Sequence, residues 1–425
     1  MDKKIIKAYA LKNAVEHSGK AVVGSVISGL FNHGLTREGI KDIMPAVNSV
    51  LKEVNFLSAS EQEKEFEKLK DIIGHRFERE GLPELEDVGK KGVVMRYRPG
   101  PSGPLHVGHI ISNLLNSLYV EKYGGKFYVI IDDTDPKTCL KDAYKNIKRD
   151  CDWIFGNVCK YLNASDRMDL YYKYAEKLIE KGFAYVCTCN NEEFKKLVVN
   201  KKACACRNLS VKDNLFRWEK MLDKNKNSYK EGEAVLRFKS DLNNPNPAMR
   251  DFPLARINLH KHVLQKNKYR VWPLMNLSVA VDDMELEMTH IIRGKDHIDN
   301  AKRQKMIFDV FKKKFPKTYF IGRIKFTDLI LSKRKINEMI NQGVFSGDED
   351  EKLPSIASLR KRGYKREAFV KFIEQRGITE VDKVISSKDF FDVLDRFNRW
   401  EVKDLIKLIM NQINRLNNRY SAYCF

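Results

Sequence analysis

Apolar positions in the first 75 residues recur at helical spacing. AVVGSVISGLF (21–31) and IKDIMPAVNSVLKEVNFL (40–57) each repeat them every three to four residues, which predicts helices with one buried face. Ser58 and Ser60 stand ahead of EQEKEFEKLKDII, whose first turn is acidic, the pattern of a capped helix. GLPELEDVGKKG (81–92) is polar and marked by Gly and Pro, so it reads as a linker, with a domain boundary between 88 and 89. The pattern then changes. VVMRYRP (93–99) reads as a strand, RPGPSGPLHVGH (98–109) as a rigid loop, 109–123 as a helix, GGKFYVIIDD (124–133) as a Gly turn into a second strand, and 142–155 as a helix. Strand, Gly-rich loop, helix, strand is the opening of a doubly wound, Rossmann-like α/β domain with a parallel sheet. Its first half is expected at 89–182, an insertion at 183–250, and its second half at 251–345, with YRVWPLMNLSVAVDD and THIIRGKDH among its pieces. Residues 346–425 read as mostly helical, and Leu405, Ile406, Ile409, Ile413 and Leu416 form an apolar stripe on the segment Trp400 to Leu416.

Charge and cysteine content narrow the class. The 425 residues carry a net charge of +21, yet residues 1–90 hold 14 basic and 15 acidic side chains, so the excess lies entirely beyond residue 90. Such a body attracts polyanions, nucleic acid first among them, although a lysine-rich solvated surface would look the same. No run of about 18 apolar residues marks a membrane span and MDKKIIKAYA is no secretory signal, so a cytoplasmic location is expected. Four of eight cysteines crowd into Cys187-Thr-Cys189 and Cys204-Ala-Cys206. That is no disulfide framework for a chain of this length, and four thiolates at this spacing suit a tetrahedral zinc ion in a structural role.

The candidate chemistry lies in two basic elements. Gly100, Gly103 and Gly108 let backbone approach a ligand closely at the expected start of a helix, where free N–H groups favour phosphate. His106 and His109 are three apart at that start, so two imidazoles can face one way and donate to a developing pentavalent phosphate. The second element is LSKRK, Leu331 to Lys335. Alone it reads as an exposed helix start. Paired with the histidine loop, Lys333 and Arg334 can neutralise phosphate charge in the transition state.

HVGH resembles the HIGH signature, and LSKRK the KMSKS signature, of class I aminoacyl-tRNA synthetases. MRYRPGPSGPLHVGH, IDDTDP, AYVCTCNNEEF, NPNPAMRDFPLARI, YRVWPL, AVDD, THIIRGKDHIDNAKRQ and LSKRK occur in the order of glutamyl-tRNA synthetases. ALKNAVEHSGKA and NSVLKEVNFLSASEQE resemble the N-terminal helical extension of the archaeal type. The resemblance implies a ligase that joins glutamate to ATP as an adenylate, with Mg2+ on the phosphates, and passes it to the 3′ end of tRNA. His106, His109, Lys333 and Arg334 are then expected to be catalytic. Gly103, His106, Gly108, His109, Leu331, Ser332 and Lys333 are expected to hold ATP. Arg96 matches the arginine that pairs with the substrate side-chain carboxylate, Asp132 the acid that meets the amino group, and Arg293 the arginine near the substrate carboxylate. The fold implied is the Rossmann-like domain above, with an inserted acceptor-binding region that carries the zinc site.

The chain also departs from that pattern. Met275 stands at a substrate-contacting tyrosine, DDHLLG becomes Asp282-Asp-Met-Glu-Leu-Glu287, Ile130 stands where relatives carry an arginine, and WDDPRLPT becomes Asp348-Glu-Asp-Glu-Lys-Leu-Pro-Ser355 without its tryptophan. These changes keep two alternatives open, a glutaminyl-tRNA synthetase and an inactive tRNA-binding paralogue. The archaeal type continues into two anticodon-reading β-barrels beyond the point where this sequence ends. The expectation is recognition through the acceptor end of tRNA, with a separate anticodon-binding subunit as the alternative occupant of the Trp400 to Leu416 stripe.

Overall fold

The computed structural model describes residues 1–16, 19–36, 38–73 and 81–399. They fall into two units, one drawn from residues 1–73 and one from residues 81–399. The Trp400 to Leu416 stripe lies outside the described residues. The first unit is helical: α1 (Lys3–Glu16), α2 (Val23–Leu30), α3 (Ile40–Phe56) and α4 (Ala59–Leu69). Their apolar faces close on a core of Ile6, Leu11, Val26, Leu30, Val47, Val50 and Val54. Of the two serines ahead of the expected capped helix, Ser58 caps α4, and Glu61 reaches back to the Ser58 N–H at 2.8 Å, which makes a capping box.

The second unit begins at residue 81 rather than 89, because Leu85 is buried in its main core. Strand β1 (Val93–Tyr97) leads through the Pro/Gly loop into α5 (Val107–Tyr123), then β2 (Gly125–Ile131), α6 (Ala143–Phe155) and β3 (Val158–Asn163). The three strands are parallel, in the order β1-β2-β3. Gly125 makes the entry to β2 feasible: its φ is +120°, and a Cβ there would meet the Val93 carbonyl oxygen at 2.0 Å.

The chain next forms α7 (Met168–Glu180), β4 (Ala184–Cys187), α8 (Asn191–Val199), α9 (Val211–Leu222), β5 (Val235–Phe238), β6 (Pro253–Ile257) and β7 (Val271–Pro273). Strands β4-β5-β6-β7 are antiparallel, over a second core that holds Trp218, Leu254 and Trp272 and is completed by the helices at 168–180, 275–285 and 298–310. The inserted sheet therefore extends to residue 273, and VWP, read from the sequence as part of the parallel core, is its last strand. Helix α10 (Met275–Glu285) returns the chain to β8 (His290–Gly294), α11 (Ile298–Val310) and β9 (Lys317–Ile321), and β8 and β9 pair in parallel. They join the first half where the Thr289 N–H donates to the Val94 carbonyl at 3.0 Å and the Val94 N–H to the Thr289 hydroxyl at 2.9 Å. The two parallel sheets, β3-β2-β1 and β8-β9, thus meet with β8 beside β1, and the direction of strand order reverses there. Ligands of doubly wound sheets bind outside the carboxyl ends of the strands at that reversal.

Last come β10 (Ile324–Phe326), α12 (Lys333–Asn341), α13 (Ile356–Lys361), α14 (Arg366–Arg376), β11 (Lys383–Ile385), parallel to β10, and a helical segment at 387–399. Leu359, Phe369, Phe390 and Phe397 pack into the core beneath α5. No helix among the described residues is long and apolar enough to cross a membrane.

Candidate active site

A cleft of about 620 Å³ opens at the reversal point, lined among others by Arg96, Arg98, His106, His109, Asp132 and Arg293. The two histidines are set by backbone. The Gly108 N–H donates to His106 Nδ1 at 3.1 Å, and the His106 N–H to His109 Nδ1 at 3.0 Å. Both Nδ1 atoms are acceptors, so in each neutral ring the proton sits on Nε2. The ring centres are 3.9 Å apart. Burial, and then the nearby Lys333 charge, push His106 down to about 3. Burial pushes His109 well below the usual imidazole range, with His106 and Lys333 adding to it. The rings are neutral donors at physiological pH.

The LSKRK element docks on the same loop. Ser332 caps α12, Lys333 Nζ donates to the Gly100 carbonyl at 2.9 Å, and Asn337 Nδ2 to the Ser102 carbonyl at 2.9 Å. Gly103 permits this approach: its φ is +146°, and a Cβ would meet the Asn337 amide at 3.0 Å and Lys333 Cβ at 3.3 Å. Leu331 reaches the cleft wall. Arg334, expected beside Lys333, is not brought there. Its side chain is 82% exposed and points to Glu338, at 3.7 Å, because consecutive helical residues face different directions.

Strand β1 supplies two arginines to one face, since residues two apart on a strand point the same way. Arg96 is a buried fork on Asp283, Nε to Oδ1 at 2.5 Å and Nη2 to Oδ2 at 2.8 Å. Its expected carboxylate partner is therefore matched first by a side chain of the protein. Arg98 binds Asp282 and Ser278 and approaches Asp132. Asp282 also takes Arg167 Nε at 2.6 Å and the Tyr171 hydroxyl at 2.7 Å. Arg293 differs from these: it donates to Gln304 Oε1 at 2.8 Å, and among the described residues no carboxylate pairs with it. Burial, and then the like charge of Arg96, lower it to about 10. Met275 begins α10 and lines the cleft with a thioether that donates no hydrogen bond.

Arg98, Asp282, Asp283, Ser278 and Gln304 were not singled out in the sequence as site residues. The signal for Arg98 was its spacing of two from Arg96 on a strand. Its ladder continues past Tyr97↔Val129, because the Asp132 N–H donates to the Pro99 carbonyl at 2.8 Å. Arg98 therefore stands in register beside Ile130, the position that lacks the arginine expected there.

The four cysteines of the insertion come together at the end of β4 and in the loop between α8 and α9. Cys187 Sγ lies 3.9 Å from Cys204 Sγ, Cys189 Sγ 3.8 Å from Cys206 Sγ, and all four sulfurs fall within 4.8 Å of one another. Tetrahedral zinc with bonds of about 2.3 Å sets its sulfurs about 3.8 Å apart, so the set fits that ion. Cys206 also accepts from Arg217 Nη1 at 3.3 Å and from the Thr188 N–H at 3.5 Å, bonds that suit a thiolate.

The fold, the paired imidazoles and the docked lysine loop define a class. Residues 92–397 match the family model of the catalytic domain of class I tRNA synthetases (E and Q), and the chain belongs to that family. Among its relatives are glutamate–tRNA ligases of archaea. That of Methanocaldococcus jannaschii is 41% identical over 417 residues, covering 96% of this chain and 74% of the relative. That of Pyrococcus horikoshii is 42% identical over 394 residues, covering 90% and 68%. The crystal structure of a glutamate tRNA ligase from Elizabethkingia meningosepticum in complex with its amino acid shares the fold, with a TM-score of 0.51 at 18% identity over 77% of this chain and 74% of that one.

Proposed function

We propose that this chain is a glutamate–tRNA ligase that activates glutamate with ATP and transfers it to the 3′ end of tRNA. One observation carries the choice of amino acid. Around the cleft, Arg96 is matched by Asp283, Arg323 by Asp296, and Arg98 with Arg167 by Asp132 with Asp282, which leaves Arg293 as the surplus charge apart from Lys333, which sits on the Pro/Gly loop. Glutamate carries one net negative charge and neutralises it. Glutamine would leave a buried guanidinium without a counter-charge, which is costly.

In this reading Arg293, with Arg96 beside it, takes a carboxylate of glutamate, and Asp132 takes the ammonium. A carboxylate oxygen attacks the α-phosphorus, the bond to pyrophosphate breaks, and the adenylate forms. His106 and His109 aim Nε2–H donors at the phosphate oxygens, and Lys333 neutralises charge on the departing pyrophosphate. A tRNA ribose hydroxyl then attacks the activated carbonyl and AMP leaves. Gly103, Gly108, Leu331 and Ser332 shape the nucleotide site. Mg2+ enters with the phosphates of ATP: among the described residues only the thiol cluster gathers three or more metal-ligating side chains. Zinc on Cys187, Cys189, Cys204 and Cys206 holds the insertion.

Charging of total tRNA with radiolabelled glutamate, and separately glutamine, tests the proposal. Charging with glutamate alone is the expected result. Charging with glutamine would overturn the choice of amino acid. Binding of tRNA without charging by either would identify a paralogue that binds tRNA but does not acylate it.

A further inference from the structure

Arg98 joins three elements of the cleft wall. From the end of β1 its Nη1 donates to Asp282 and its Nη2 to the Ser278 hydroxyl at 3.0 Å, both on α10. Across β2, Nη2 reaches Asp132 Oδ1 at 3.4 Å, and Nε lies 3.2 Å from Asp132 Oδ2. The Arg98 side chain is 5% exposed and that of Asp132 21% exposed. The two carboxylates depend on it unequally. Asp282 keeps Arg167 and Tyr171 if Arg98 is removed. Asp132 keeps only the Thr134 hydroxyl, at 3.1 Å, because among the described residues no other cation pairs with it.

We infer that Arg98 is a positioning residue for the α-amino group of the substrate. Its guanidinium, anchored on α10, donates one hydrogen bond to Asp132 Oδ1 and places its charge 3.2 Å from Oδ2, which orients the carboxylate at the cleft wall. It touches no reacting atom. A planar guanidinium can span Asp282, Ser278 and Asp132 together, and an ammonium on a flexible stem cannot. The inference rests on the reading above that Asp132 meets the ammonium.

The test uses two ligands of the full-length chain, glutamate and glutarate, which has both carboxylates and no amino group. Their affinity ratio isolates the amino group, and it is insensitive to a loss of folded protein, which both ligands share. A charge-assisted contact predicts a ratio of at least about tenfold in the wild type. Asp132→Asn is expected to collapse it, and Arg98→Met to bring it within about threefold of the Asp132→Asn value, with glutarate affinity little changed. An undiminished ratio in Asp132→Asn would overturn the reading of Asp132, and this inference with it. A collapse in Asp132→Asn with a wild-type ratio in Arg98→Met would overturn the inference alone. If Arg98→Met does not fold, Arg98→Lys decides: it keeps the charge and loses the fork, and a wild-type ratio there has the same overturning force.

Discussion

Lys333 Nζ donates to the carbonyl oxygen of Gly100 at 2.9 Å, which ties the start of α12 to the Pro/Gly loop between β1 and α5. Burial lowers this ammonium to about 8. It is therefore charged below that pH and loses its charge above it. We expect kcat/KM for ATP in pyrophosphate exchange to fall as pH rises through about 8, because that parameter reports the free enzyme. Lys333→Arg should carry the falling limb beyond the measurable range. A profile flat to about pH 9.5 in the wild type would contradict this role.

Arg334 makes the contrast. Its guanidinium lies on the solvent face of α12, so Arg334→Ala should leave adenylate formation within about threefold of the wild type, as expected for an exposed pair. A larger loss would mean that the loop turns when ATP binds.

The histidines act as neutral Nε2–H donors in this arrangement. His109→Ala should lower the adenylation rate by about 10²-fold, the scale of one lost donor to developing charge, with tRNA affinity nearly unchanged. Because both rings stay neutral near pH 7, the acid limb of the rate profile should show no step near the ordinary imidazole value of about 6.5. Equal loss of adenylation and tRNA binding would remove His109 from the phosphate site.

Arg293→Gln should raise KM for glutamate by about 10–100-fold, the worth of one charged hydrogen bond, with a smaller effect on KM for ATP. The same change removes the surplus charge, so discrimination against glutamine should shrink with it. Steady-state exchange with each amino acid reads both effects.

Purified protein should carry one zinc ion per chain by elemental analysis. Cys204→Ser should abolish that stoichiometry and lower the thermal midpoint. Adenylation should fall less than stability does, because the thiols sit at the end of β4 and in the loop between α8 and α9 and do not line the cleft.

How much of the fold and site is legible in the sequence depends on the range of each signal. The Gly-rich loop between β1 and α5 and the capped start of α4 are written within a few residues, and both were readable, although the choice of Ser58 over Ser60 was not. The three-residue strand Val271–Pro273 was not, because a short apolar run looks the same in a parallel core and in an inserted antiparallel sheet. The histidine pair could be found, but not its tautomer, which depends on backbone N–H groups fixed only by the fold. Arg96 could be matched to a motif, yet its counter-ion Asp283 lies 187 residues away in the chain. Charge pairing across that distance leaves no periodic trace, so the sequence did not show that Arg98 is paired with carboxylates and that Arg293 is paired with none among the described residues.

The junction of the two sheet halves has a consequence for biosynthesis. Thr289 and Val94 are 195 residues apart, and the whole antiparallel insertion lies between them. At about 5–20 residues per second, a ribosome needs about 10–40 s to make that interval. Through that time β1 offers an open edge, with β2 already on its other side, and an open edge is where a nascent chain pairs with the wrong neighbour. The core of the insertion also waits, because it takes Ile307 and Phe308 from α11, which is made after β8. The arrival of β8 brings Arg293 to the cleft that Arg96 and Asp132 line, and the cleft closes only when the later residues Ile321 to Leu331 complete its wall.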